Sequence, residues 1–142
     1  MNIPGNKILR SILPFTIITL LTFLMMGGSV RAQDVNTKIT SAIKSSNATE
    51  LARYFNNSID LTIPDSEGTY SKVQAEQIVK SFFGKYPPVS FTINHQGKSN
   101  DGSVYAIGMY KSKTLSFRTY YLAKPIGGQL LIHQLKFESR EE

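Results

Sequence analysis

Cysteine and tryptophan are both missing from the 142 residues, and histidine occurs only twice. Without cysteine there is no disulfide framework, thiolate metal site, cysteine nucleophile or lipidated N-terminal cysteine. His95 and His133 have no ligand spacing such as His-x-x-x-His, so neither a metal site nor a cofactor is expected. No Gly-x-Ser-x-Gly nucleophile elbow occurs. Gly97-Lys98-Ser99 copies the end of a phosphate loop, but Thr92 stands where that loop needs its first glycine. Clustered positive charge is also scarce: Lys111 and Lys113 are its densest pair, which argues against a nucleic-acid partner.

What is present is unevenly spread. The formal charge is +6 and 41% of residues are hydrophobic, yet the first acid in the chain is Asp34. Lys7 and Arg10 precede an uncharged run over Ser11–Val30, most apolar over Ile12–Met26. Val30-Arg31-Ala32 then places small or β-branched residues one and three positions before Gln33. A basic start, a short apolar middle and a small-residue exit read as a secretory signal peptide over residues 1–32. Residues 33–142 are then an exported domain, periplasmic or secreted, with no membrane attachment after cleavage. An uncleaved anchor is the competing reading, since about 20 uncharged residues span a bilayer. Pro14, the threonines and Gly27-Gly28 weaken it, and in both cases the leading cations keep residues 33–142 outside. A disulfide-free domain of about 110 residues buries roughly two-thirds of its unfolded surface, enough for a core.

Val35, Ile39, Ala42 and Ile43 recur at helical spacing and predict a helix over about 34–46. Asn47 with Glu50 forms a capping pair for a second, short helix whose stripe is Leu51, Ala52, Tyr54 and Phe55, ended by Asn56-Asn57-Ser58. Ile59, Leu61 and Ile63 alternate with polar residues as a strand, closed by Pro64 and a turn over Asp65-Ser66-Glu67-Gly68. Ser71 with Gln74 caps the longest helix, defined by Val73, Ile78, Val79, Phe82, Phe83 and Tyr86 and stopped by Pro87-Pro88. From Val89 the period becomes 2. Strands are expected over Val89–His95, Ser103–Lys111, Thr114–Ala123 and Gln129–Glu138, joined by short turns as an antiparallel meander.

The sheet has two faces of different character. Tyr105, Ile107 and Met109, then Leu115, Phe117 and Tyr121, then Leu131, His133, Leu135 and Phe137 make the more apolar face, expected under the long helix. Ala106, Gly108 and Tyr110, then Arg118, Tyr120 and Leu122, then Leu130 and Ile132 make the other. That second face is too apolar for plain solvent contact and reads as a partner surface. A strand bulge would reverse either assignment.

Helix, helix, strand, long helix and then long antiparallel strands is an order that resembles the nuclear transport factor 2-like fold. Leu51–Phe83 carries the likeness in detail, with Tyr54-Phe55, the strand Ile59–Ile63, Gly68-x-Tyr70-Ser71 and the helix ending Phe82-Phe83. Ile63-Pro64-Asp65-x-Glu67-Gly68-x-Tyr70-Ser71 and Phe91-Thr92-Ile93-x-His95-Gln96-Gly97 more narrowly resemble a family of small exported bacterial domains of unknown function. The resemblance implies an α+β, cystatin-like cone, with N-terminal helices packed on a curved antiparallel sheet, and a homodimer through the sheet. It brings no established activity. Superfamily enzymes such as ketosteroid isomerase, scytalone dehydratase and limonene epoxide hydrolase use an Asp or His base in the cone. The isomerase's base is an Asp near the end of the first strand; here only Asp65 stands nearby, displaced by a residue or two, so the role is not carried over.

Two sets of candidate residues follow. Within the implied cavity are His133, Tyr105, Tyr121, Phe117 and His95, with His133 as a base or ligand donor tunable near neutral pH. No acid pairs with His133, which favours a core histidine bonded to a backbone carbonyl or a tyrosine. Arg118, Tyr120, Tyr110 and Leu122 form the candidate interface, with ordinary sheet packing the plain alternative for the tyrosines. Asn47 and Asn56 match glycosylation sequons, but capping and helix termination explain both. The preferred reading is a non-catalytic exported module that binds an unknown small ligand or protein. The alternative is a cavity enzyme of the isomerase, dehydratase or hydrolase type, using His133 and a tyrosine.

Overall fold

The computed structural model describes residues 30–140, so residues 1–29 of the leader expected over 1–32 lie outside the described residues. The compact unit that holds the fold starts at Asp34. Helix α1 is Val30–Lys44 and buries Ile39, Ala42 and Ile43, as its periodicity requires. It ends in a Schellman motif. Asn47 N–H reaches the Ala42 carbonyl at 2.9 Å and Ser46 N–H the Ile43 carbonyl at 3.1 Å, with Ser46 in the left-handed region at φ 56. Asn47 is also the N-cap of α2 (Ala48–Ala52), its side chain accepting from Glu50 N–H at 2.9 Å. The Glu50 carboxylate pairs with Arg53 at 3.2 Å.

The expected helical continuation to Phe55, and a helix end at Asn56-Asn57-Ser58, are corrected here. All four residues belong to β1 (Phe55–Ile63). Two asparagines disfavour a strand locally, but burial of Phe55, Ile59 and Leu61 holds them in one. The turn expected at Asp65–Gly68 is tighter, with Ile63 facing Ser66 across Pro64-Asp65, and β2 (Ser66–Ser71) follows as an edge strand. Ser71 then caps α3 (Lys72–Lys85) through a complete capping box with Gln74. Its buried stripe is Ala75, Val79, Phe82 and Phe83. Val73 is 69% exposed; at six residues from Val79 it lies about 240° around the helix.

Strands β3 (Pro88–Lys98), β4 (Val104–Ser112), β5 (Ser116–Ile126) and β6 (Gln129–Ser139) form the expected meander. Gly127 and Gly128, both at positive φ, make the two-residue β5–β6 turn that only glycine adopts without strain. The six strands stand in the order β2-β1-β6-β5-β4-β3, all antiparallel except β1 beside β6. Helices precede the sheet and cover one side of it; among the described residues no helix lies on the other side.

Which residues face the helices differs from the expectation on two strands. On β4 the buried side is Val104, Ala106 and Tyr110, and Tyr105, Ile107 and Met109 are only half-buried. Pairing decides this: Tyr110 faces Phe117, Gly108 faces Thr119 and Ala106 faces Tyr121, so the buried side of β4 is the one that continues the buried side of β5. On β6 the register slips between Leu122 and Ala123, whose partners are Gln134 and Ile132, leaving His133 as the extra residue. Ile132 therefore joins Leu135 and Phe137 in the core, and Leu131 and His133 are not buried with them. Leu115, also expected inside, is 43% exposed.

Candidate functional site

Between α3 and the sheet the space is filled with rings. Phe82 sits 5.1 Å from Phe117, 4.6 Å from Phe137 and 5.4 Å from Tyr110, centroid to centroid. Tyr86 adds a T-shaped contact to Phe117 at 5.0 Å. Each such pair adds about 0.5–1.5 kcal/mol beyond area burial. Phe117 and Tyr121, expected to line a cavity, are fully buried parts of this core. Tyr110, expected at an interface, is corrected to the core as well. Its hydroxyl donates to the Tyr86 carbonyl, and Tyr121 donates to Asn36 Oδ1 at 2.9 Å. Desolvation pushes both phenols well above the ordinary value of 10.0. Thr119 Oγ1 is buried in the same layer without a hydrogen-bond partner.

Neither histidine is in that core. His133, half-buried in the β6 bulge, has Nδ1 2.9 Å from the Leu131 carbonyl. A carbonyl only accepts, so Nδ1 carries the proton of this hydrogen bond. His95 is exposed, with Nε2 3.2 Å from the Tyr105 hydroxyl and the rings 5.8 Å apart.

The open face is organised in rows set by register. Tyr105 faces Leu122, Ile107 faces Tyr120, and Met109 faces Arg118. On the next strand Leu122 faces Gln134, Tyr120 faces Lys136 and Arg118 faces Glu138, the last pair at 3.7 Å. Arg118, Tyr120 and Leu122 thus share one face, as their alternation predicts, joined there by Tyr105, Ile107 and Met109 from the expected inner set. Sequence reading missed that merger because parity alone does not tell which side of β4 meets the helices.

A groove of about 690 Å³ lies where β3, β4, β5 and β6 end together. Lys111, Arg140, Ser90, Thr92, Asn94 and Ser116 line it, with Met109 at its inner edge. A second hollow of about 510 Å³ continues past Ser116 and Arg140 to Lys113 at the β4–β5 turn. On the opposite flank, a smaller hollow holds Asp60, Glu67 and Lys136. The only sequence signal for the groove was the Lys111–Lys113 pair, since its other residues are common strand serines and threonines. Among the described residues, no group of three His, Asp or Glu side chains is placed to hold a metal, and no helix is long and apolar enough to cross a membrane.

A family model described as "Domain of unknown function (DUF4783)" matches residues 36–138. The chain belongs to this family. A DUF4783 family protein from Bacteroides uniformis is 28% identical, with a TM-score of 0.71 over 75% of this chain and 97% of that one. Another from Bacteroides ovatus is 28% identical, with a TM-score of 0.69 over 74% of this chain and 94% of that one. A nuclear transport factor 2-like protein of unknown function from Shewanella baltica, 12% identical, aligns at a TM-score of 0.57 over 77% of this chain and 90% of that one. No curated protein matches. The DUF4783 chain described here therefore has the nuclear transport factor 2-like α+β fold expected from its order of elements.

Proposed function

We propose that the chain is an exported binding module that docks a partner on the open face of its sheet, the partner being a second copy of itself. The observation that carries this reading is the apolar patch made by Tyr105 beside Leu122 and Ile107 beside Tyr120, on the side that no helix among the described residues covers. Rings and aliphatic chains standing together on an exposed surface favour burial against another surface. A two-fold interface must complement itself. This face carries both signs of charge around the patch, Arg118 and Lys136 against Glu138 and Asp60, which meets that condition. Cavity chemistry has less support, because the helix-covered side is packed with rings and both histidines lie outside it.

Export rests on the leader composition and on the compact unit beginning at Asp34, beside the Ala32–Gln33 junction. Two measurements test the proposal. The N-terminus of protein recovered from cells is expected to be Gln33. Sedimentation velocity is expected to show a dimer at about 10–100 µM, and Leu122→Glu or Ile107→Glu to give a monomer with unchanged circular dichroism. A wild-type monomer at about 1 mM overturns self-docking.

A further inference from the structure

We propose that the groove at the β4–β5 turn end of the open face binds a phosphate ester, an anionic small molecule with a hydroxylated body. The proposal goes beyond docking, since the apolar patch is not its binding surface. Register builds the groove. Lys111 faces Ser90 on β3 and Ser116 on β5. Arg140 donates its backbone N–H to the Ser116 carbonyl at 3.0 Å, which holds the arginine beside that serine. Cation, hydroxyl and cation therefore stand in sequence from β4 across β5 to the residue that follows β6, with Thr92 and Asn94 extending the donors along β3.

Among the described residues, no carboxylate lines the groove. Glu138, two residues before Arg140, is engaged by Arg118 at 3.7 Å, and Glu141 and Glu142, which follow Arg140, lie outside the described residues. Neither Lys111 nor Arg140 forms an ion pair among the described residues, although Lys38, Arg53 and Lys85 each pair with an acid. Two cations on either side of Ser116, with no ion pair among the described residues, attract an anion. The donor set selects among anions. A carboxylate offers two oxygens, whereas a phosphate monoester offers three terminal oxygens to match an ammonium, a guanidinium fork and the surrounding hydroxyls. A volume of about 690 Å³ exceeds what inorganic phosphate fills and leaves room for a polar body against Asn94 and Thr92.

The test is a titration of the full mature protein, followed by amide NMR, with glucose 6-phosphate, inorganic phosphate and glucose as probes. Saturable shifts at Ser90, Thr92, Lys111 and Ser116 are expected with glucose 6-phosphate and absent with glucose. K111A/R140A, a change of two exposed side chains, is expected to weaken that binding by at least about tenfold with the fold intact. Inorganic phosphate binding as tightly as the sugar phosphate upholds the site and assigns free phosphate as its ligand. No saturable shift with either phosphate compound to about 10 mM overturns the proposal. So does equal binding of glucose, or undiminished binding by K111A/R140A. Titrating Leu122→Glu in parallel keeps this outcome separate from the docking proposal.

Discussion

The ring of Tyr105 lies across Gly97 on the neighbouring strand, so closely that a Cβ at position 97 would sit 2.6 Å from it. Only glycine leaves the ring there, and from that position its hydroxyl meets His95 Nε2 at 3.2 Å. Gly97→Ala is therefore expected to displace the ring and break the hydrogen bond, at a cost of about 1 kcal/mol. The imidazole NMR signals of His95 should move while those of His133 stay. An unmoved His95 would show that the ring accommodates the methyl.

Ser46 holds the left-handed position that closes α1, a place where most proteins use glycine. Its Cβ makes that conformation cost about 1 kcal/mol or somewhat more. Ser46→Gly removes the strain while keeping the two closing backbone bonds at Ala42 and Ile43. Thermal unfolding should shift upward by a few degrees, as about 1 kcal/mol does in a domain of this size. A lower midpoint would mean that the added unfolded-chain entropy of glycine outweighs the relieved strain.

Much of this fold was legible from residue order. The Ser71–Gln74 capping box and the period-2 strands after Pro88 are local signals, and each produced the element it promised. β2 was illegible because Ser66, Gly68 and Tyr70 alternate without an apolar stripe, and pairing with β1 alone makes them a strand. The side choice on β4 was illegible for a related reason. Tyr105, Ile107 and Met109 are greasier than Val104, Ala106 and Gly108, yet register with Phe117, Thr119 and Tyr121 on β5 puts the latter set, with Tyr110, in the core. His133 changed the reading of β6 because one extra residue reverses alternation, and no sequence feature announces a bulge there. The basic groove combines ends of four strands, so neither Ser90 nor Arg140 points to it from its own neighbourhood.

Tyr110 and Tyr121 tie the fold to alkaline pH. Burial raises both phenols, so the folded state holds them neutral where the unfolded chain would ionise them near pH 10. Their contribution to stability is complete below that pH and is lost as pH rises through the raised folded-state values. Of the seven tyrosines, these two are expected to stay un-ionised in phenolate absorbance until circular dichroism reports unfolding. Tyr121→Phe should move the alkaline transition upward, even though it loses the bond to Asn36. Smooth ionisation of all seven with native dichroism intact would contradict this.

Thr119 presents the opposite problem, a hydroxyl in the core with no partner. Its Oγ1 is enclosed between Gly108 on β4 and Phe137 on β6, its register neighbours, and the residue is 1% exposed. An unsatisfied buried hydroxyl costs about 1–3 kcal/mol, whereas a methyl of the same shape costs nothing of that kind. Thr119→Val is expected to stabilise the domain by about 1 kcal/mol, read as a higher denaturant midpoint at unchanged slope. Thr119→Ser keeps the hydroxyl and opens a methyl-sized void, so it should destabilise by about 1 kcal/mol. If valine instead lowers the midpoint, a water satisfies the hydroxyl, and the layer beneath α3 is a hydrated site with its own capacity to bind.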